Sequence, residues 1–334
     1  MTIHRSIKFL VLIVYVTTVV DGYMVAFSQR IRPSQTRRTS SLGAHLITFD
    51  LDDTLFPVGP VIQYANNALF NHLNQLGYPI IEDDFLMSTK HIRTSLAKEG
   101  IVITYSELRM RAIRREMEKY SHMIDQDLVH QAYQVWEYHR HLGAELYLYH
   151  DTCDMLRQLK HDYNDIVIGA ITNGKGNPLK MNSLTEFFDF CVSGEDEHVF
   201  PLRKPNKGIY KAALDEFTSI REQFKGKEEI HGDCFIWIHV GDDLANDVGA
   251  SAQAGAYAIW ADLDSEYDQS ASKRTSSENQ PSWSTATPSE LNERRTLNEM
   301  AAKHISATIH RLADIPPTVK RISSKLSNKV EFDV

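Results

Sequence analysis

The chain has 334 residues, of which 42% are hydrophobic and 24% are charged, and its formal net charge is −8 at pH 7. This composition is ordinary for a globular protein of one large or two smaller domains. The acidic excess argues against non-specific nucleic-acid binding, which depends on neutralising phosphate charges. The cysteines are widely spaced and odd in number, so we expect reduced core residues at Cys153, Cys191 and Cys234.

The N-terminal 43 residues have the composition of a targeting sequence. Arg5 and Lys8 precede an apolar run over residues 9–20, which is short for a transmembrane helix and typical of a secretory signal. The stretch that follows contains four arginines and no acid, as transit peptides do. We therefore predict a signal-like segment over residues 1–26 and a transit-like segment over residues 27–43.

Together, these two segments resemble the bipartite plastid presequence of algae with complex plastids. The cysteine usage favours such a reducing destination. The alternatives are simple secretion and a single membrane anchor. For a plastid protein we expect no stable membrane association once the presequence is removed.

The first acidic motif follows an apolar run over residues 46–49, which predicts a short buried strand. Asp50 and Asp52 then stand at the carboxyl end of that strand, where ligands bind in open α/β sheets. Two neighbouring carboxylates repel each other and lose hydration when they are buried. We therefore expect a cation there, with a hard divalent metal as the first candidate.

A gap of about 115 residues separates this motif from the next and is too long for one crossover connection. Apolar residues recur with a helical period over residues 61–76, 105–123 and 126–138. We therefore predict an inserted helical cap domain over residues 60–145.

Two further apolar runs, over residues 165–171 and 235–240, predict strands that also end in polar motifs. The polar residues after these strands, and in the loop between them, are Thr172, Asn173, Gly174, Lys204, Asp242, Asp243 and Asp247. Strands separated by helical patterns indicate parallel βαβ units. We therefore expect these side chains to meet the first two aspartates at one edge of a sheet.

The predicted fold class is α/β, with a doubly wound, Rossmann-like parallel sheet and the inserted α-helical cap. The core domain is predicted over residues 44–59 and 146–318. Within it, residues 264–298 are rich in Ser, Thr, Asn, Gln and charge, which indicates a disordered insertion or an exposed loop. We expect residues 319–334 to form a flexible tail.

The four polar motifs, in this order over residues 45–262, resemble those of the haloacid dehalogenase superfamily of aspartate-nucleophile phosphohydrolases. The resemblance implies that Asp50 is the nucleophile, since a carboxylate can form an acyl-phosphate and release it. It also implies that Asp52 is the general acid/base. The dehalogenase branch lacks an acid at the position of Asp52, so the resemblance favours phosphate-ester hydrolysis.

The resemblance also implies a site for Mg²⁺ made of oxygen ligands. The implied metal residues are Asp50, Asp52 through its backbone carbonyl, Asp242 and Asp247. Asp247 is expected either at a metal-bound water or beside Lys204, and Asp243 is a secondary candidate ligand.

The same resemblance gives roles to the residues that meet the phosphoryl group. Lys204 is expected to neutralise both Asp50 and the transferring phosphoryl charge. Thr172, Asn173 and Gly174 are expected to form an anion-binding turn.

The substrate is suggested by three local strings, over residues 108–113, 170–179 and 239–249. They resemble a bacterial subgroup that acts on FMN and on 5-amino-6-(5-phosphoribitylamino)uracil in riboflavin synthesis. Arg109 and Arg111 in the first string are candidate substrate contacts, and a solvated basic face is the other interpretation. The expected partner is a small-molecule phosphate ester, with no nucleic acid, and the oligomeric state is not predicted.

Other functions stay open at this point. A nucleotide or sugar-phosphate phosphatase would share most of the pattern, and a phosphosugar mutase would use the same nucleophile and acid/base. A non-catalytic scaffold is disfavoured, because every residue expected for catalysis is present.

Overall fold

The structure is a computed structural model of the chain. The residues that it describes are 19–20, 23–24, 45–225, 235–269 and 284–332.

The chain divides into two compact units, Met1–Ser41 and Leu42–Val334. In the first unit, the two-residue strands Val19–Val20 and Tyr23–Met24 pair with each other antiparallel. The rest of the signal-like segment and all of the transit-like segment lie outside the described residues, so the plastid destination stays a prediction.

The second unit is built on a parallel sheet of six strands. The strands are β1 (His45–Phe49), β2 (Ile166–Thr172), β3 (Phe190–Ser193), β4 (Ile236–Gly241), β5 (Tyr257–Ala261) and β6 (Ile305–Ile309). Their spatial order is β3-β2-β1-β4-β5-β6, and every neighbouring pair is parallel. The strand order therefore reverses between β1 and β4, and ligands of open α/β sheets bind at the carboxyl ends beside such a reversal.

A helical cap is inserted between β1 and β2. Its helices are α1 (Val58–Gln75), α2 (Glu82–Lys98), α3 (Tyr105–Met117) and α4 (Gln126–Leu146). The cap has its own hydrophobic core, which includes Leu69, Ile113 and Trp136. Helix α2 was not predicted from the sequence. Only four of its residues are buried, two of them are the polar Ser88 and Arg93, and the apolar period of the helix is therefore weak.

Helices also cover both faces of the sheet. They are α5 (Thr152–Asp162), α6 (Lys207–Lys225), α7 (Ala250–Gln253), α8 (Pro288–Ala301) and α9 (Ile315–Phe332). Leu46 belongs to the hydrophobic cluster that includes Phe217 of α6, whereas Ile47 belongs to the cluster that includes Leu156 of α5 and Val319 of α9. Such two-sided burial explains why the central strand β2 is buried along its whole length, without alternation. The predicted fold class is confirmed.

The predicted disordered insertion is wrong where α8 begins within it. Residues 270–283 lie outside the described part of the chain, but α8 starts at Pro288 with a capping box between Thr287 and Glu290. Only Leu291 and Ala301 of this helix are buried. A helix that buries so little apolar surface has the composition of a solvated loop, and this misled the prediction.

The predicted flexible tail is also wrong over α9. Val319 and Ile322 are buried against the sheet, and Ser323 makes a 3.1 Å hydrogen bond with the imidazole of His45 in β1. Ile315, Val319 and Ile322 recur at helical spacing, which is the signal that the sequence analysis overlooked.

Two further features complete the fold. Cys153 and Cys191 are free and half-buried, while Cys234 lies outside the described residues. No helix in the described part of the chain is both long and apolar enough to cross a membrane.

Candidate active site

The polar motifs meet at the carboxyl edge of the sheet, where β1 lies between β2 and β4. Phe49 is in register with Ala170 of β2 and Val240 of β4, and the backbone N–H of Asp50 donates to the carbonyl of Val240 at 2.9 Å. Adjacent parallel strands that end at the same level deliver the residues that follow them to one place. The structure thereby brings together the predicted residues Asp50, Asp52, Thr172, Asn173, Gly174, Lys204, Asp242 and Asp247, all of which line one cavity of about 270 Å³.

A buried lysine links two of these carboxylates. The Nζ of Lys204 donates to Asp50 Oδ1 at 2.5 Å, to Asp247 Oδ1 at 2.7 Å and to the carbonyl of Ile171 at 2.9 Å. All three charged side chains are almost inaccessible to water. The pairing offsets the cost of burying the charges, and it fixes the ammonium beside Asp50.

The carboxylates differ in how burial acts on them. Burial raises the pKa of Asp50 to about 7, against the attraction of Lys204. Burial also raises the pKa of Asp242 well above its usual value, and repulsion from Asp50 adds to this. Burial alone would raise the pKa of Asp247, but the nearby charge of Lys204 holds that pKa below its usual value. At Asp50 and Asp242 the effect of burial thus outweighs the attraction of nearby cations, whereas at Asp247 the attraction of Lys204 outweighs burial.

This cluster can hold a divalent metal ion. Asp50, Asp242 and Asp247 each present a carboxylate oxygen within 4.8 Å of the others. The donors are all oxygens, as Mg²⁺ requires. The oxygens of Asp247 already accept from Lys204 and from the backbone N–H of Asp243, at 2.7 and 3.0 Å. Asp50 and Asp242 are therefore the better-placed ligands, and the geometry of Asp247 matches its other predicted role, beside Lys204.

Two nearby residues connect the loops of the cluster. The hydroxyl of Thr54 lies 3.4 Å from both Asp50 Oδ2 and Asp242 Oδ1, and it accepts from the backbone N–H of Asp242 at 3.1 Å. Asp53, with a positive φ of 62°, is buried and accepts from the backbone N–H of Val58 at 2.9 Å, where α1 begins. Asp53 thus anchors the start of the cap.

Asp52 is paired with a cap residue that the sequence analysis missed. The Nη2 of Arg140, which is buried in α4, donates to Asp52 Oδ1 at 2.7 Å. Arg140 shares one face of α4 with Tyr133 and Trp136, at intervals of three and four residues. That spacing was the signal for an inward-facing arginine, but the predicted helical period ended at residue 138.

The predicted anion-binding turn follows β2. The side chain of Asn173 donates to the carbonyl of Lys204 at 3.0 Å and accepts from its backbone N–H at 2.7 Å. The hydroxyl of Thr172 accepts from the backbone N–H of Gly174 at 3.2 Å. Asn173 thus holds the Lys204 backbone in place, and the phosphate-binding role of the turn stays a prediction.

The two predicted cap arginines differ. Arg109 lines the cavity, with its guanidinium 3.7 Å from the ring centre of Trp136 and Nη1 donating to Asn66 at 3.1 Å. Burial lowers the pKa of Arg109 to about 10. Arg111 is exposed, pairs with Glu107 one turn earlier at 2.8 Å, and does not reach the cavity. The solvated-face interpretation therefore holds for Arg111.

The cavity has one wall that the motifs did not suggest. Ser284, Thr285, Ala286 and Arg294 line it from α8 and the segment before it. Arg294 pairs with Asp243, whose other carboxylate oxygen accepts from the backbone N–H of Asn246 at 2.8 Å. Asp243, a secondary candidate metal ligand, is thus engaged by protein groups on both oxygens.

Several known proteins are similar to this chain in sequence. Residues 44–255 match the family described as haloacid dehalogenase-like hydrolase. The Escherichia coli enzyme 5-amino-6-(5-phospho-D-ribitylamino)uracil phosphatase YigB is 24% identical over 216 residues, which cover 64% of this chain and 82% of the relative. The uncharacterized Saccharomyces cerevisiae protein YMR130W is 30% identical over 129 residues, which cover 36% of this chain and only 40% of the relative.

A solved structure also shares the fold. The 2-haloacid dehalogenase from Pseudomonas syringae pv. Tomato DC3000 has a TM-score of 0.56 and 23% sequence identity. The match covers 83% of this chain and 98% of that one.

Proposed function

Since the chain belongs to the haloacid dehalogenase-like hydrolases, we propose that it hydrolyses small phosphate monoesters through an aspartyl-phosphate formed on Asp50. One observation carries this proposal. Asp50 and Asp52 line the same cavity but have different partners, because Lys204 holds Asp50 and Arg140 holds Asp52. Two carboxylates in separate environments can act separately, one as nucleophile and the other as acid/base.

The proposed reaction has two steps. A carboxylate oxygen of Asp50 first attacks phosphorus, and the ester oxygen leaves with a proton from Asp52. Asp52 then takes a proton from water, which attacks the aspartyl-phosphate, releases inorganic phosphate and regenerates Asp50. Lys204 stays beside Asp50 throughout and offsets the negative charge that gathers there.

We propose Mg²⁺ as the cofactor. When bound, this ion would neutralise negative charge on the carboxylates and on the phosphoryl oxygens. Asp50 and Asp242 would hold it, with the backbone carbonyl of Asp52 as the third protein ligand. The raised pKa values of both carboxyls support a requirement for a cation, because ionising them together without one is costly.

The leaving group decides between a phosphatase and a dehalogenase. Halide departs as a stable anion and needs no proton, whereas an alkoxide leaves readily only when an acid protonates it. Asp52 lines the cavity and is held by Arg140, in a position to supply that proton. We therefore favour phosphate-ester hydrolysis, although the fold itself is shared with a dehalogenase.

For the substrate, we propose a small organic phosphate such as 5-amino-6-(5-phosphoribitylamino)uracil or FMN, in riboflavin synthesis. The named activity of the E. coli relative supports the first of these. The lining of the cavity also supports a substrate that carries a planar group. Trp136, Phe85 and the stacked guanidinium of Arg109 line its cap side.

A phosphate-release assay tests the proposal. The full-length chain with Mg²⁺ is offered the ribitylaminouracil phosphate, FMN, nucleoside monophosphates and sugar phosphates, and Asp50→Asn is the blank. We expect release of inorganic phosphate that depends on Asp50 and is fastest for the ribitylaminouracil phosphate. Preference for a nucleotide or a sugar phosphate would remove the riboflavin assignment. Isomerised substrate without phosphate release would indicate a mutase instead.

A further inference from the structure

We propose that Arg294, on a helix beyond the family-matched part of the chain, binds the phosphoryl group of the substrate. The inference rests on the proposed phosphatase function and deepens it. The family match ends at residue 255, whereas α8 begins at Pro288. The residue therefore lies outside the part of the chain that the family model matches.

The buried Lys204 has few hydrogen-bond donors left for a phosphoryl group. An ammonium has three N–H donors. In Lys204 these donors go to Asp50, to Asp247 and to the carbonyl of Ile171. A phosphoryl dianion that enters the cavity must therefore take its hydrogen bonds from groups other than Lys204, in addition to the neutralisation that a metal ion gives.

Arg294 lies at the cavity that contains the proposed nucleophile. Its guanidinium pairs with Asp243, lines the cavity and has a side chain 22% exposed. Burial lowers the pKa of Arg294, while attraction to Asp242 and Asp50 acts in the opposite direction. The cation thus lies within electrostatic reach of the proposed nucleophile. A guanidinium has five donors in a planar fork, so contact with Asp243 leaves donors for phosphoryl oxygens.

Helix α8 is held on two sides, which gives Arg294 a defined position. Asn298 accepts from the backbone N–H of Ala245 in the core at 3.0 Å. Glu290 accepts from Arg93 of the cap helix α2 at 2.5 Å. A Cβ added to Gly249 would lie 2.9 Å from the side chain of Ala301, so the end of α8 fits closely against the core. Such anchoring favours ligand binding by Arg294, because the helix that carries it loses little conformational freedom when a ligand binds.

Steady-state kinetics of the full-length chain test the inference with three variants. Arg294→Gln removes the charge, Arg294→Lys keeps it without the planar fork, and Arg295→Gln changes the exposed neighbour on the same helix. We expect Arg294→Gln to raise KM for the best phosphate ester by about 10- to 100-fold, with a smaller change in kcat. Arg294→Lys should lie between wild type and Arg294→Gln, and Arg295→Gln should match wild type.

Binding of inorganic phosphate, measured by calorimetry with Mg²⁺ present, gives a readout that does not need turnover. We expect Arg294→Gln to weaken it by a factor similar to the change in KM. Unchanged KM and unchanged phosphate binding in Arg294→Gln would overturn the inference and leave the phosphatase function standing. A wild-type chain without Asp50-dependent phosphate release would overturn that function, and phosphate binding would still decide the role of Arg294. Absence of phosphate binding in wild type would count against the inference, while phosphate release would still decide the phosphatase function. If Arg294→Gln has a much lower melting temperature than wild type, the KM and phosphate affinity of Arg294→Lys decide the inference, and wild-type values of both would overturn it.

Discussion

Arg140 reaches from the cap into the core and donates from Nη2 to both carboxylate oxygens of Asp52, at 2.7 and 3.0 Å. The arginine is buried, whereas the Asp52 side chain is 24% exposed to the cavity. The orientation of the proposed acid/base is therefore set by a residue of the helices inserted between β1 and β2. A movement of the cap helices would therefore change the orientation of the Asp52 carboxylate through its pair with Arg140.

The first prediction concerns Arg140. Arg140→Ala should lower kcat by about 100-fold, because a carboxylate that is free to rotate presents its proton less often to the leaving oxygen. Arg140→Lys should recover part of the loss, since it keeps the charge but not the planar donors. The exposed Arg115 of α3 gives the control, and Arg115→Ala should leave kcat unchanged. If Arg140→Ala instead raised KM by about 100-fold and left kcat unchanged, a role in orienting Asp52 would be contradicted.

The second prediction concerns Asp247, whose charge is matched to Lys204 inside the protein. Asp247→Asn leaves the lysine with one carboxylate where it had two, so the free energy of unfolding should fall by about 3 kcal/mol. Urea unfolding measures this change. The exposed pair Lys211–Asp215 is the matched control, and Asp215→Asn should cost less than about 0.5 kcal/mol. Similar losses in the two variants would show that burial does not set the value of these pairs.

The residues at the strand ends could be found from the sequence, whereas the pairing of Arg140 with Asp52 and the position of Arg294 at the cavity could not. An apolar run followed by an acid specifies both a buried strand and the edge where that acid lies, so Asp50 and Asp242 were placed by local pattern alone. The pairing of Arg140 with Asp52 depends on how the cap sits on the core, which no local spacing encodes. The position of Arg294 was harder still to predict, because the polar composition of α8 resembles that of a disordered segment.

The third prediction separates the two cap arginines that the sequence analysis treated alike. Arg109 stacks on Trp136 inside the cavity, whereas Arg111 pairs with Glu107 on the surface. Arg109→Gln should raise KM for the best substrate by about 10-fold, because its stacked and hydrogen-bonded guanidinium forms part of the cap-side wall. Arg111→Gln should change KM less than about twofold, as an exposed ion pair contributes little. Equal effects on KM would contradict the distinction between a cavity-lining Arg109 and a surface Arg111.

The fourth prediction concerns the pH dependence of folding through His45, which joins β1 to α9. Burial lowers the pKa of His45, so the folded protein disfavours the protonated imidazole. The unfolded chain, with a pKa near 6.5, binds the proton more readily as pH falls. The contribution of His45 to stability is therefore present above about pH 6.5 and is lost below it, by at most about 1.4 kcal/mol per pH unit.

Urea unfolding at pH 8.0 and pH 5.5 measures this contribution. The loss of stability on acidification should be smaller in His45→Gln than in wild type, because the substituted side chain cannot take up a proton. The exposed His91 of α2 is the control, and His91→Gln should lose as much stability as wild type does. If His45→Gln also lost as much as wild type, the acid sensitivity would have to come from other buried groups, of which His239 and His141 also have lowered pKa values from burial.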